Sequence, residues 1–283
     1  MLFGGARNPT SCFSFSLTSQ QWTKLQDLPS GRCWHGSAVI GNFVFLVGGY
    51  GNITIEKYDT TTKKITLVCL MKRSLNSSAI SCNKFGISIY KGDSLLIAGG
   101  QDDKYKTTNN CFVFNTKTKA IRNVSIFKTK RRGNTLVNFK GEIFCIGGEL
   151  ETCEKLNLIE VFDATTEKWK TTDFKLNIAR HCPQAVAHKQ FIYVLGGYIG
   201  YRKCTDTIER IDVSAGKVEV LNVKLKHARS LFAASKSNND LYIFGGSVID
   251  GDSSTEVLNL ETLEIKEGVE LPISNSCFTA CSF

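Results

Sequence analysis

The sequence predicts an all-β fold made of six copies of one four-stranded unit, and three observations carry that prediction. Paired glycines fall at 4–5, 48–49, 99–100, 147–148, 196–197 and 245–246, with successive spacings of 44, 51, 48, 49 and 49 residues. A fixed period of that size is the mark of a repeat architecture. Each pair follows a short apolar run, MLF, FVFLV, SLLIA, EIFCI, FIYVL or DLYIF. Such runs, rich in β-branched and aromatic residues, suit a strand buried on both faces. Beyond each pair a turn former is followed six positions on by a large side chain: Ser16/Trp22, Asp59/Ile65, Asn115/Ile121, Asp163/Trp169, Asp212/Val218 and Asn259/Ile265. Asp, Asn and Ser bond their own backbone in turns, so this spacing predicts a tight hairpin between two strands.

The remaining strand of each unit follows a polar loop that often carries an Arg. Stretches such as GRCWHGSAVIG, ARHCPQAVAHK and ARSLFAASKS are made of small residues, which suit a strand crowded against its counterparts near a central axis. The chain opens with MLFGG, the second strand of a unit whose first strand is missing. Its far end, LPISNSCFTACSF, parallels LPSGRCWHGSAVI at Leu28–Ile40. A C-terminal strand over 277–283 is therefore expected to complete the first unit, closing the ring and removing two exposed sheet edges. The units begin near 1, 43, 94, 142, 191 and 241 within a single domain, 1–283. The abrupt start is also what is expected of a longer protein trimmed to this domain.

One unit is irregular. Counting back 16 residues from Gly48, Gly196 and Gly245 reaches Arg32, Arg180 and Arg229, but the same count from Gly99 reaches Asn83. NKFGISIYKGD then reads as that unit's inner strand and MKRSLNSSAISC as an enlarged loop. In the next unit Arg131 and Arg132 compete for the arginine position.

A Gly-Gly pair, a downstream YD or FD and then a Trp, at a period near fifty, resembles the kelch repeat, whose units are blades of a β-propeller. The resemblance runs from Met1 to Phe283 and implies a six-bladed kelch propeller with four antiparallel strands per blade. Trp22 and Trp169 keep the tryptophan, while Ile or Val stands elsewhere. The Asp is Ser16, Asn115 or Asn259 in three blades, all conservative for a turn.

Composition narrows the class further. Hydrophobic residues make up 42% and charged residues 22%, with 4 Pro, which reads as ordered and globular. No apolar run approaches the roughly 18 residues of a membrane span, and MLFGG lacks the features of a signal peptide. Eleven Cys, odd in number and scattered, point to a reducing, intracellular and most simply cytoplasmic setting. The net charge of +9 includes one dense basic run, Lys128–Arg132, without interleaved aromatics. It reads as a solvated loop or a patch for an acidic protein, with a weak nuclear signal as the alternative. Nucleic acid and membranes are not expected as partners.

Chemistry is sparse. His35 and His181 follow the arginine position in different blades and face one end of the ring, too far apart to share a metal. Cys69, Cys82, Cys111 and Cys145 sit in strand-like apolar contexts. Cys33, Cys182 and Cys277 lie near incoming loops; inert packing is the expected role, with a redox-sensing thiol activated by cations such as Arg32 and Arg180 as the alternative. No catalytic set, phosphate loop, cofactor or metal site is expected. The Tyr, Cys and His ligands of the copper-oxidase kelch propellers have no counterpart here.

In a propeller the interaction surface is built from loops at one face of a rigid ring. The kelch resemblance implies that the loops after the glycine pairs and the loops entering the inner strands line a shallow bowl where partner peptides dock. The first set offers Arg7 and Asn8, Tyr50 and Asn52, Gln101, Asp103 and Tyr105, Glu149 and Glu151, Tyr198, Tyr201 and Arg202, then Ser247 and Asp250. The second offers Trp34, Phe85, Arg132, Asn134, His181, and Leu231 with Phe232. Tyr, Trp and Arg dominate interface energetics, and Tyr198, Tyr201 and Arg202 form the densest cluster. With Gln101, Asp103, Glu149 and Glu151 on one side, a basic or mixed ligand is expected. The resemblance further implies a monomeric, non-catalytic propeller of the BTB–kelch type. It would recruit a substrate protein to a cullin-3 ubiquitin ligase through BTB and BACK domains outside this chain. An actin-binding propeller is the alternative, and an enzyme acting on a small molecule is the third class.

Overall fold

In the computed structural model residues 1–71, 82–246 and 252–282 are described. The enlarged loop expected around 71–82 lies largely outside them, as do Ser247 and Asp250. Six four-stranded antiparallel sheets form the blades. Blade 1 runs Thr279–Ala280, Leu2–Phe3, Cys12–Ser16 and Gln21–Lys24, and blade 2 runs Gly36–Ile40, Phe43–Val47, Thr54–Asp59 and Ile65–Leu70. Blade 3 consists of Gly86–Tyr90, Ser94–Ala98, Cys111–Asn115 and Ile121–Asn123. Blade 4 has Thr135–Phe139, Glu142–Ile146, Ile159–Asp163 and Lys168–Thr171. Blade 5 has Gln184–His188, Phe191–Leu195, Thr207–Asp212 and Lys217–Lys224, and blade 6 has Ala233–Ser237, Asp240–Phe244, Thr255–Asn259 and Ile265–Glu267. The first strand named in each blade is the inner one.

The ring closes as a two-residue ladder, Leu2 opposite Ala280 and Phe3 opposite Thr279. Apolar residues from facing blades merge into clusters, one at each blade interface. Between blades 2 and 3, for example, Phe45 and Val47 pack with Leu95, Ile97 and Phe114. Phe3 and Cys12 of blade 1 pack with Val44 and Tyr58 of blade 2.

The hairpin turns form by the expected chemistry. The Asp59 carboxylate accepts the backbone N–H groups of Thr61 and Thr62, and Asn115, Asp163 and Asn259 make the same pair of bonds. Those bonds at Asp59, and at Asp163 the Thr166 side chain together with them, hold the two carboxyls below the usual range.

A polar joint recurs between blades. The second glycine of every pair donates its N–H to the next blade's incoming loop, at Arg32, Cys82, Arg131, Arg180, Arg229 and Asn275 in turn. In four blades that position is a buried arginine. Its guanidinium donates to the carbonyl of its own blade's first glycine, at 3.2 Å for Arg32 and 2.7 Å for Arg180. It also pairs with a buried glutamate: Arg32–Glu56 at 3.0 Å, Arg180–Glu209 at 2.5 Å, Arg229–Glu256 at 2.6 Å, and Arg131–Glu160. The carboxylate also reaches the incoming loop, as where Glu209 accepts the N–H of Asn177 on Oε2 and that of Ile178 on Oε1.

One open alternative is settled here and one expectation changes. Arg131, not Arg132, takes the joint. In blade 3 the position belongs to Cys82 rather than Asn83, because the first hairpin there holds one more residue: Tyr90 pairs Ser94, whereas Phe139 pairs Glu142. Blades 3 and 1 lack the arginine and also lack the glutamate, with Phe112 and Phe13 in its place. In blade 3, Cys82 packs with Met71 and Phe112. In blade 1, Asn275 reaches the first glycine, donating from Nδ2 to Gly4 O at 2.7 Å.

Candidate peptide-binding face

The face is organised by register from the joint. One position beyond it the chain bridges to the residue that follows the glycine pair: Asn83 to Gln101, Arg132 to Glu149 and His181 to Tyr198. Tyr50 likewise donates its N–H to Cys33 O. The two loop sets therefore share one face.

Two positions beyond the joint stand Trp34, Lys84, Gly133, Cys182, Leu231 and Cys277, all with φ between 51° and 62°. At five of the six this left-handed turn aims the N–H along the ring. Trp34 donates to Cys277 O, Lys84 to Trp34 O, Gly133 to Lys84 O, Cys182 to Gly133 O and Cys277 to Leu231 O. The result is a main-chain collar around a central cavity of about 240 Å³, lined by residues of all six blades.

Three positions beyond the joint the side chain turns inward between blades. Phe85, Asn134 and Phe232 stand there and are buried. Asn134, for instance, donates to Ala98 O of blade 3. They form the walls beneath the bowl, so their expected place on the binding surface is corrected by one register step. Asn52, Gln101 and Glu149 are also buried. The Asn52 amide caps its own loop, accepting from Thr54 N and donating to Ser30 Oγ, and Gln101 donates to Tyr105 O.

Other predicted residues do line the face. Tyr50 is 49% exposed and Tyr201 97%, while Tyr105 is 54% exposed. Asp103, Glu151 and Arg202 are exposed, and Asn8, Trp34, Arg132, His181, Tyr198 and Leu231 are half-buried. The Glu151 carboxylate is engaged, accepting Thr107 N at 2.6 Å. Tyr201 and Arg202 tip an extra hairpin, Tyr198–Gly200 against Lys203–Cys204, and the Tyr198 hydroxyl accepts Arg202 N.

Aromatic rings step outward from the collar. Lys84 Nζ lies 4.1 Å from the Trp34 ring centroid, Trp34 meets Tyr50 edge-on at 5.8 Å, and Tyr50 stacks on Tyr105 at 5.7 Å. On the other side, Glu149 holds Arg132 at 2.6 Å and Lys155 at 2.5 Å, and Lys155 Nζ lies over the Tyr198 ring. Burial alone would push the Glu149 carboxyl up, but His181, Lys155 and Arg132 outweigh it and hold the group below its ordinary range. Of the acidic flank expected from sequence, Glu149 is thus spent within the protein and Glu151 is engaged by Thr107, while Asp103 stays exposed, which weakens the argument for a basic ligand.

Burial pushes the thiols of Cys33, Cys182 and Cys277 up, Cys277 to about 12, so they stay protonated at neutral pH despite the cations nearby. Desolvation thus speaks against the redox-sensing alternative and suits the packing role. Among the described residues no cluster of His, Cys, Asp and Glu could hold a metal ion. Sequence reading missed Lys84 and Lys155. The signal for Lys84 was its offset of two from the joint, hidden by the longer blade 3 hairpin. Lys155 carries no motif.

Residues 54–246 match the family description "KLHDC2/KLHL20/DRC7 Kelch-repeats domain". The chain belongs to the kelch-repeat family. It is 23% identical over 90% of its length to human leucine-zipper-like transcriptional regulator 1, and 26% identical over 76% to zebrafish kelch-like protein 41b. It spans 33% and 34% of those proteins, about a third of their length. Rat kelch domain-containing protein 3 is 24% identical over 51% of this kelch chain. Among solved structures, "Structure of YjhT" superposes with a TM-score of 0.75 at 14% identity, covering 92% of this chain and 90% of that one. At that identity the likeness speaks for the kelch fold alone. The propeller is a protein-interaction module of the kelch type, a family that is generally non-catalytic.

Proposed function

We propose that this propeller selects a substrate protein for a cullin-3 type ubiquitin ligase, holding a peptide segment of it in the bowl while parts outside the chain contact the ligase. The observation that carries the reading is the face itself: three exposed tyrosines, Tyr50, Tyr105 and Tyr201, around a collar-framed cavity. Large rigid aromatics are the residues that anchor interfaces. The length of the kelch relatives, about three times the matched part, leaves room in them for such further parts.

The test compares capture from cell lysate by the propeller and by a Tyr50→Ala/Tyr105→Ala/Tyr201→Ala variant, then follows the captured protein in cells depleted of cullin-3. A protein lost by the variant and stabilised by the depletion supports the proposal. A captured protein whose level ignores cullin-3 refutes the ligase link. Co-sedimentation of both forms with actin filaments would favour the cytoskeletal alternative.

A further inference from the structure

Each blade ends in an outer strand with no further strand beside it among the described residues. Such an edge presents unpaired N–H and C=O groups, and charged side chains are the usual guard against pairing with another chain. Five of the six outer strands carry one: Lys24 in Gln21–Lys24, Arg122 in Ile121–Asn123, Lys168 in Lys168–Thr171, Lys217 in Lys217–Lys224 and Lys266 in Ile265–Glu267. The sixth, Ile65–Leu70 of blade 2, reads ITLVCL and carries none. Leu67 is 61% exposed and Leu70 42%. Lys64 O accepts the Asp59 N–H, and bonding pairs alternate along an antiparallel ladder, so Ile65 and Leu67 turn their main-chain groups outward. Beyond a bulge at Val68, Met71 N donates to Ile53 O, which turns Leu70 outward as well. The ground around this edge is basic. Lys57 lies opposite Thr66, Lys63 and Lys64 are exposed on the turn that leads into the strand, and the Lys119 charge of blade 3 acts on Cys69. Among the described residues none of these four lysines forms an ion pair, and the Asp59 carboxylate beside them is taken up by Thr61 and Thr62. The field along the edge therefore favours an acidic partner, whereas a second copy of a chain with net charge +9 would set lysine against lysine.

We infer that the Ile65–Leu70 edge takes an extended segment of a partner protein as a fifth strand of blade 2, its apolar residues lying against Leu67 and Leu70 and its acidic residues meeting Lys57, Lys63, Lys64 and Lys119. Main-chain bonds to the edge supply affinity, and the alternation of apolar and acidic side chains supplies selectivity. This site lies on the side of the ring and is independent of the bowl.

The probes are two libraries of short peptides in which every other residue is apolar, the remaining positions being Asp and Glu in one and Lys and Arg in the other. Each is selected on the intact propeller, and the winners are measured by fluorescence anisotropy and by hydrogen exchange of the protein. The acidic library should yield winners that slow exchange at the Ile65 and Leu67 amides and weaken with salt. N-methylation of alternate peptide residues should abolish binding in one register and spare it in the other, because a strand bonds its neighbour through every second residue. Leu67→Glu removes the apolar contact and adds a repelling charge, and should weaken the winners at least about tenfold. Leu67→Pro deletes an outward N–H, a change an edge strand tolerates, and should weaken them by the same order. Winners that both variants bind equally well, or that protect no amide of the strand, overturn the edge site, as do winners from the basic library alone or from neither. Winners lost on Tyr50→Ala/Tyr105→Ala/Tyr201→Ala sit in the bowl and also overturn it. Sedimentation of the propeller without peptide covers the remaining occupant: a dimer that Leu67→Glu abolishes would assign the edge to a second copy and refute the peptide. Thermal melts check that each variant is folded, and if Leu67→Pro melts early, Leu67→Glu and the N-methylated peptides decide.

Discussion

His35 is buried beside the ring closure, its Nε2 3.0 Å from Thr279 Oγ1 and its Nδ1 without a partner among the described residues. Burial, reinforced by the Arg32 charge, lowers its pKa from 6.5 to about 3, and burial lowers His181 to about 4 although Glu149 pulls the other way. A histidine whose folded-state pKa lies below its unfolded value binds protons more readily when unfolded. Its stabilising contribution is complete above pH 6.5 and drains away as the pH falls towards 3 to 4. Thermal melts between pH 7 and 5 should therefore show a falling midpoint. His35→Gln, which keeps a donor for Thr279, should flatten that fall, and parallel curves for the two proteins would show that His35 does not drive it. Single side chains are also where the sequence was least legible. Phe85, Asn134 and Phe232 differ from the collar positions by one step of register. No periodicity distinguishes a residue two places beyond the joint from one three places beyond it, because the turn between them is set by backbone φ.

The strands and hairpins were legible because their signals are local: a two-glycine stop, a turn former, an apolar wedge. The joint between blades was legible only by half. Its arginines stand out at a constant offset, but the matching glutamates, three residues before the turn former, look like ordinary strand residues until the fold brings them together. Blade 3 shows the apolar alternative to that joint, with Cys82 and Phe112 in place of the pair. Removing one partner of a buried ion pair strands the other, at a cost of about 3–5 kcal/mol, whereas replacing both with apolar groups is far milder. Arg229→Cys and Glu256→Phe should each lower stability by that order in urea melts. The double variant, copying blade 3, should lose much less than the two losses added together. Additive losses would mean that the two residues act independently.

At the scale of the ring, the closing seam is the shortest ladder of its kind. Leu2–Phe3 against Thr279–Ala280 offers two residue pairs, where Phe43–Val47 in blade 2 has five on its inner side. Hydrogen exchange under native conditions should find the amides of Leu2, Phe3, Thr279 and Ala280 less protected than those of Val44, Phe45 and Leu46. Equal protection would show that the ring opens only as a whole. Sequence pattern located this seam correctly, because the small-residue strand at the far end repeats the motif that every other blade supplies from its own segment.

The seam also fixes how the molecule responds to being pulled. Because Leu2 faces Ala280 and Phe3 faces Thr279, residues 1 and 281 lie at the same end of the ladder, joined by a bond from the Met1 amine to Cys281 O at 2.7 Å. Tension applied through polypeptide attached at both ends would peel that ladder one bond at a time, like a zipper, rather than load its bonds together in shear. The propeller would yield first at blade 1 under a small force, with five blades still whole.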